Sequence, residues 1–316
     1  MQDYPHTLRD LEAAFRTEEA CREYLARLRW PGSFLCPGCA GRKAWTSKRA
    51  LWVCSTCGRQ TSVTAGTIFQ DTRLPLTVWF RAIWWVTSQK TGASALSLQK
   101  GLGLGSYRTA WALLQKLRRA MVRPGRDRLN GAVEVDETFV GGVEPGGGRR
   151  HIGKKALVAM AAEVRGPAIG RIRLRRIPDS SAESLLPFVE EALAPGSRVI
   201  TDGLPSCLGL SDRGYRHRRK LILGDHEKAT SLLPRVHRVA SLLKRWLLGT
   251  HQGGVSREHL DYYLDEFTFR FNRRTSRHRG LLFHRLLENA MAVGPAPYET
   301  ITKGIRGRSP RGHPQR

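Results

Sequence analysis

The stretch Val133-Glu-Val-Asp-Glu-Thr-Phe-Val-Gly-Gly142 decides how the rest of the chain is interpreted. Apolar and polar residues alternate along it, which predicts a β-strand, and the two glycines at its end predict a turn. A carboxylate, Asp136, stands in the middle of this strand. An acid in a strand is often only a solvated side chain, so a chemical role for Asp136 depends on what the remaining sequence brings to it.

The composition is that of a folded and strongly basic protein. Of 316 residues, 41% are hydrophobic, and 53 Lys and Arg stand against 27 Asp and Glu, for a net charge of +26. Two or three domains fit this length, and so large a positive surplus indicates a polyanionic partner, with nucleic acid as the first candidate. The sequence has no lipidation signal, signal peptide or apolar run long enough for a bilayer, which disfavours a membrane and predicts a cytoplasmic protein.

Four of the six cysteines form two Cys-x-x-Cys pairs, Cys36 with Cys39 and Cys54 with Cys57. Two tight turns that bring four sulfurs to one point match tetrahedral zinc ligation in a zinc ribbon. A redox pair or unliganded core cysteines would not explain why the spacing occurs twice. We therefore predict a zinc ribbon over residues 31–70, in which structural Zn²⁺ supplies much of the folding energy.

Helical patterns lie on both sides of the ribbon. Residues 1–30 are expected to form an N-terminal helix, and residues 71–128 a helical DNA-binding region. The second region contains a helix, a short helix, a glycine turn at 101–105 and a basic helix at 107–121, an order that fits a helix-turn-helix and equally a plain helical connector. The predicted basic face of the last helix consists of Arg108, Lys116, Arg118 and Arg119.

Residues 129–295 change to strands followed by helices. Three strands, a helix, a fourth strand ending at Asp202 and further helices form the element order of an α/β RNase H-like sheet. The first and fourth strands lie side by side in that sheet, so Asp136 and Asp202 are expected to face each other. Adjacent carboxylates repel unless a cation lies between them. Mg²⁺ suits such a site, and two ions can stabilise both oxygens of a phosphodiester displacement.

Two basic segments and two further acids complete this region. Residues 141–155 form a glycine- and arginine-rich tip that either touches DNA or is a solvated hairpin, and residues 296–316 are expected to be a disordered basic tail. Glu134 and Glu137 flank Asp136 and are expected on the opposite face of the strand, so neither is assigned to the metal.

Several long motifs resemble those of bacterial insertion-sequence transposases of the DDE superfamily, in the subgroup that joins an N-terminal zinc ribbon to an RNase H-like catalytic domain. The motifs are the ribbon cysteines and residues 61–69, 134–142, 201–203, 242–246, 249–251 and 263–273. The resemblance covers nearly the whole chain. It implies a DNA transposase that binds the ends of its element, cleaves strands with bound metal and transfers them to target DNA. It also implies that Asp136 and Asp202 are the first two metal-binding acids.

The third metal-binding position departs from the commonest form of this family. Members usually carry Glu, or sometimes Asn or His, seven residues before a lysine, and here these positions hold His237 and Lys244. Seven residues make nearly two helical turns, so both side chains share a face. Imidazole suits Mn²⁺ better than Mg²⁺, and Lys244 would hold a DNA phosphate. His237 could instead be a surface residue, and Glu266 could supply the third carboxylate unless it only pairs with Arg270.

Two other functions stay open beside transposition. The first is a catalytically inactive, zinc-dependent DNA-binding regulator derived from a transposase, which His237 in place of an acid allows. The second is a related nuclease that cuts without joining. A serine hydrolase and a phosphate-binding loop are disfavoured, because the required Ser and Lys motifs are missing. For a transposase, the partner is double-stranded DNA, at both the terminal inverted repeats and the target, and a homo-oligomer is expected on DNA.

Overall fold

The computed structural model describes residues 4–123, 125–141, 155–220 and 232–304. They form two compact units, one within Met1–Pro124 together with Ser276–Arg316 and one within Gly125–Thr275. The basic tip predicted at 141–155 lies almost wholly outside the described residues. No helix in the described ranges is long and apolar enough to cross a membrane.

The N-terminal segment contains two helices, α1 (Leu8–Ala14) and α2 (Glu18–Arg29), so the prediction of one helix there is wrong. The break lies at Thr17, whose hydroxyl accepts the N–H of Ala20 at 3.2 Å. A threonine at this capping position satisfies an N–H that a helix start leaves unpaired, which favours a new helix there.

The zinc-ribbon region is a small antiparallel sheet with very little core of its own. Its strands are β1 (Ala44–Thr46), β2 (Trp52–Cys54) and β3 (Gln60–Thr61), with β2 in the middle. Phe34 stacks on Trp52 with ring centroids 5.8 Å apart. Because so small an apolar cluster provides little stability, the ribbon is expected to depend on an additional cross-link between its strands and turns.

Three helices follow, namely α3 (Leu76–Ser88), α4 (Ala95–Leu102) and α5 (Tyr107–Ala120). Gly103, with a φ of 63°, ends α4 in the left-handed conformation that favours glycine. The predicted basic face of α5 is wrong for Arg118, which is buried. Arg119 donates to the carbonyl of Pro295 at 3.2 Å, and Nε of Arg108 donates to Oη of Tyr298 at 2.7 Å. These contacts tie much of the basic face to the protein itself.

The second unit contains a five-stranded mixed sheet in the order β6-β5-β4-β7-β8. Strands β4, β5 and β6 pair antiparallel, whereas β7 pairs parallel with both β4 and β8. The first and fourth strands of this unit are therefore neighbours, as the RNase H-like prediction required. The elements in chain order are β4 (Ala132–Val140), β5 (Ala156–Arg165), β6 (Ala168–Ile177), α6 (Ala182–Ala192), β7 (Arg198–Thr201) and β8 (Arg216–Arg219).

Helices cover both faces of this sheet. Helices α7 (Pro234–His251) and α8 (Leu260–Asn272) pack on one face, where Met160 of β5 belongs to the buried cluster. Helix α6 packs on the other face, where Val135 of β4 and Ala159 of β5 are buried. Because successive residues of a strand alternate between faces, each position of β4 belongs either to the α7 and α8 side or to the α6 side.

The last helices of the chain belong to the first unit. In α9 (Arg279–Ala292), Phe283 packs against Phe80 with ring centroids 5.6 Å apart, and Nδ1 of His284 lies 2.7 Å from Oη of Tyr24. The division that assigned residues 129–295 to the catalytic domain thus differs from the structure over 276–295. These residues turn an apolar face to α3, and periodicity within one helix does not reveal which partner it will pack against.

The predicted disordered tail begins with ordered structure. Residues Tyr298–Thr302 form a short helix, α10, and Ile301 within it is fully buried. The prediction for residues 296–304 is therefore wrong, because the apolar side chain of Ile301 joins the core. Residues 305–316 lie outside the described part of the chain.

Replacement of Ile301 by alanine tests whether this segment stabilises the protein. We expect Ile301→Ala to lower the free energy of unfolding by roughly 2–5 kcal/mol, because a buried side chain is lost and a cavity remains. Urea denaturation measures the change. Lys303→Ala, at an exposed position of the same segment, is the control. Equal stability of the two variants would mean that the segment does not contribute to the core.

Candidate active site and zinc site

The four ribbon cysteines converge on one point. Sγ of Cys36 lies 3.6 Å from Sγ of Cys57, and Sγ of Cys39 lies 3.6 Å from Sγ of Cys54. All four sulfurs lie within 4.8 Å of one another. A tetrahedral zinc site with Zn–S bonds of about 2.3 Å has its sulfurs about 3.8 Å apart. The cysteines therefore fit the structural Zn²⁺ that the sequence predicted.

Backbone amides favour the thiolate form of two of these cysteines. The N–H groups of Cys57 and Thr56 lower the pKa of Cys54 to about 6, and those of Cys39 and Gly38 lower the pKa of Cys36. Zinc binds the thiolate rather than the thiol. The tight turns thus position all four sulfurs and favour the thiolate at Cys36 and Cys54.

Strand pairing brings Asp136 and Asp202 to neighbouring positions. Glu134 of β4 pairs with Ile200 of β7 in a parallel register, and each acid lies two residues beyond its member of that pair. Burial raises the pKa of Asp202 and the charge of Asp136 adds to the shift, although the N–H of Leu204 opposes it by donating to Oδ1 of Asp202 at 3.2 Å. The two carboxylates are therefore close enough to repel each other.

Helix α7 brings His237 to the same place. Nε2 of His237 lies 3.0 Å from Oδ2 of Asp136, and this hydrogen bond raises the pKa of His237 against the opposing effect of burial. Lys244 lies seven residues further along the helix and is exposed. Partial desolvation lowers the pKa of Lys244, and the charge of Asp136 opposes that shift. The acid, the imidazole and the ammonium thus share one electrostatic environment.

The predicted metal ligands offer a suitable donor set without full convergence. In the described parts of the chain, only the four ribbon cysteines bring three or more ligand atoms within 4.8 Å of one another. The ligand atoms of Asp136, Asp202 and His237 are therefore more widely spread. Two carboxylates and an imidazole nevertheless suit Mg²⁺ or Mn²⁺. The repulsion between the acids is the kind that a divalent cation relieves.

Glu137 lies on the other face of β4, as predicted from alternation. It pairs with Ala159 of β5, whose side chain belongs to the α6 side of the sheet. Burial raises the pKa of Glu137 to about 8, with the charges of Asp136 and Asp202 as further causes. Burial therefore favours the protonated form of this carboxyl group.

The prediction that Glu134 points away from Asp136 is wrong. Residues two apart on a strand share a face, and Glu134 is fully buried on the α7 side. Its Oε2 accepts the N–H groups of Arg235 at 2.8 Å and Val236 at 3.0 Å, and its Oε1 accepts Nη1 of Arg235 at 3.0 Å. Glu134 thus holds the first turn of α7, immediately before His237. The two-residue spacing from Asp136 was the sequence signal for this position.

Glu266, the alternative third ligand, is engaged in an ion pair. Its buried carboxylate accepts Nε of Arg270 at 2.8 Å. This is the i, i+4 pair that the sequence also allowed. His237 rather than Glu266 is the residue in contact with Asp136.

Comparisons with known proteins give a match both for the zinc-ribbon region and for the region that contains the five-stranded sheet. The family model of an ISXO2-like transposase domain matches residues 128–272, and that of a transposase zinc-ribbon domain matches residues 16–60. A relative described as an uncharacterized protein in transposable element ISH50 of Halobacterium salinarum is 26% identical over 277 residues, covering 81% of this chain and 91% of the relative. No solved structure matches the chain.

The fold and the two matched domains define an insertion-sequence transposase with an RNase H-like domain. The domains together span more than half of the chain, in the order zinc ribbon then transposase domain. The chain therefore carries an ISXO2-like transposase domain preceded by a transposase zinc-ribbon domain.

Loss of one ribbon cysteine should remove the zinc. We expect Cys36→Ser to lower the zinc content from one ion per chain and to destabilise the first unit, because the ribbon has little core besides the metal. Metal analysis of the purified protein and thermal unfolding measure the two effects. Cys207→Ser, at a buried cysteine outside the cluster, should retain its zinc. Retention of zinc by both variants would contradict the four-cysteine site.

Removal of the Glu134 carboxylate should disturb α7. Glu134→Ala leaves buried donors without an acceptor, at roughly 1–3 kcal/mol for each donor. We expect lower stability in urea and weaker Mn²⁺ binding by calorimetry, since His237 directly follows the anchored turn.

A second buried acid separates these two effects. Glu163 accepts Nη2 of Arg171 at 2.7 Å and is also buried, but its contacts lie toward β6 rather than α7. Glu163→Ala should therefore lose stability and keep its Mn²⁺ affinity. Unchanged Mn²⁺ affinity in folded Glu134→Ala would show that Glu134 only stabilises the fold.

Proposed function

We propose that this protein binds the ends of its insertion sequence, cleaves DNA strands there and joins the freed 3′-hydroxyl to target DNA. The observation that carries the proposal is the contact of His237 with Asp136. Asp136 lies two residues beyond the paired residues of β4 and β7, and this pairing brings Asp202 alongside Asp136. This arrangement occurs within a transposase domain. It combines acids, an imidazole and a nearby cation in a strongly basic protein.

Each residue has a distinct role in the proposed reaction. Asp136, Asp202 and His237 would hold Mg²⁺ or Mn²⁺, which neutralises charge on the phosphate during displacement. Lys244 would bind a non-bridging phosphate oxygen as a point charge. Glu134 would keep the first turn of α7, and therefore His237, against the strand.

The ribbon and the helices of the first unit would bind the terminal inverted repeats. Trp45 is exposed on β1, and exposed basic residues surround it in sequence. Aromatic and basic side chains together suit nucleic acid, and contacts to phosphates make binding sensitive to salt. The basic residues are Arg42, Lys43, Lys48 and Arg49.

Substitution of the acids tests the reaction. We expect Asp136→Ala and Asp202→Ala each to abolish cleavage and strand transfer while binding to terminal-repeat DNA persists, because the acids hold metal rather than DNA. Gel analysis of a labelled terminal-repeat duplex with Mg²⁺ or Mn²⁺ separates nicked from joined products. Asp212→Ala, at an exposed acid outside the site, should react normally. Undiminished strand transfer in either site variant would falsify the metal role.

The third ligand is tested in the same assay. His237→Ala should lose activity with both metals, and His237→Glu should shift the preference from Mn²⁺ toward Mg²⁺, which favours carboxylate oxygen. Glu266→Gln should be less stable but active for each folded molecule. Loss of activity in folded Glu266→Gln, with His237→Ala active, would assign the third position to Glu266.

A DNA-binding regulator without catalysis is the second candidate. The observation that favours it is the direct contact of the imidazole of His237 with Asp136, at the position where the family resemblance implies Glu as the usual third ligand. The wild-type protein would then bind terminal-repeat DNA and form neither nicked nor joined products with either metal. Nicked products alone would indicate a nuclease.

A further inference from the structure

The two edges of the five-stranded sheet are both rich in arginine but differ in how the arginines are paired. On β6, Nη2 of Arg171 lies 2.7 Å from Glu163, Nη1 of Arg175 lies 2.8 Å from Glu191, and Nε of Arg176 lies 3.4 Å from Asp261. The charges of this edge are therefore largely neutralised within the protein.

The other edge, β8, carries Arg216, Arg218 and Arg219, all exposed. Among the residues that the structure describes, none of these three has a carboxylate within ion-pair distance. Arg198 of β7, also exposed, pairs with Arg216 in the register and adds a further cation. Positive charge therefore accumulates at this edge.

Strand register divides the β8 arginines between the two faces. Arg216 pairs with Arg198 and Arg218 pairs with Ile200, whose side chain packs on the α7 side. This is also the face that carries Asp136, since Asp136 pairs with Met160 of the same cluster. Arg219 has the opposite parity and lies on the α6 side. Arg216 and Arg218 thus share a face with the candidate active site.

We propose that Arg216 and Arg218 form a DNA-backbone contact that leads a strand toward Asp202. The inference rests on the proposed function. Strands β7 and β8 run parallel, and Arg218 is level with Ile200, two residues or about 7 Å of strand before Asp202. A DNA strand carries a phosphate at every nucleotide, so a strand whose scissile phosphate is at the carboxylates has further phosphates close by. Arginine is well suited to bind them.

Protection of the sheet edge is the alternative explanation. Charged side chains on an edge strand hinder pairing with other chains. That purpose does not require unpaired charge, as the neutralised arginines of β6 illustrate. Edge protection also does not require that the arginines lie on the same face of the sheet as the acids.

The test compares two double variants of the full-length protein that lose the same charge. The double substitution Arg216→Gln with Arg218→Gln removes the proposed contacts. The control is Arg175→Gln with Arg219→Gln, because Arg175 lies on the neutralised edge and Arg219 lies on the opposite face of the sheet. Both sets carry Asp136→Ala to prevent cleavage. Affinity for a random 30-base-pair duplex and for the terminal-repeat duplex is measured between low and moderate NaCl.

Loss of two phosphate contacts should lower the slope of log affinity against log salt by about 1.8, from roughly 0.9 per phosphate. We expect this loss in the Arg216 and Arg218 variant and an unchanged slope in the control. A loss on the random duplex assigns the contact to target DNA, and a loss restricted to the terminal repeat assigns it to the element end. Equal slopes of the two variants on both duplexes would overturn the proposal.

The outcome is separable from that of the proposed function. Thermal unfolding first verifies that both variants are folded, which their exposed positions favour. Strand transfer is then assayed in wild-type protein. Strand transfer by the wild-type protein together with equal salt slopes of the two variants would support the proposed function and reject the edge contact. A loss of slope in the Arg216 and Arg218 variant alone, without strand transfer by the wild-type protein, would support the contact in a protein that binds DNA but does not join it.

Discussion

The parallel register between β4 and β7 is the constraint on which the candidate active site depends. Side chains alternate between the faces of a sheet, so a shift of one residue would send Asp136 to the α6 side. The apolar residues on both faces prevent that shift, because Val135 would have to leave one core and Asp136 would have to enter it. Placement of the acids therefore follows from burial of their neighbours and needs no interaction between the acids themselves.

Helix α7 depends on the same strand through its polar groups. The buried side chains of α7 pack on the sheet, and the carboxylate of Glu134 accepts the N–H groups at the start of this helix. A helix start that is buried without such an acceptor would leave donors unpaired. The strand thus supplies both one acid of the site and the anchor for the helix that bears His237, which couples local packing to the geometry of the site.

Much of the architecture could be predicted because it follows from short-range patterns. Cysteine spacing indicated the ribbon, and the order of elements placed the first and fourth strands side by side, which the structure confirms. Burial of Arg118 could not be predicted, since its helix shows charge at regular spacing whatever packs against it. The helix at 279–292 was assigned to the wrong unit, because only contacts far apart in sequence determine its partner. The exact separation of the candidate metal ligands likewise depends on tertiary packing.

The position of Phe283 has a consequence for synthesis of the protein. The RNase H-like unit is inserted within the chain of the first unit, so the aromatic core around Phe80 is complete only after residue 283 has been made. Domains generally fold as they leave the ribosome. Here the helices on either side of the zinc ribbon must wait for the far end of the chain to complete their core, and the inserted unit can fold first. An interrupted product would therefore carry the ribbon without the core that supports its neighbouring helices.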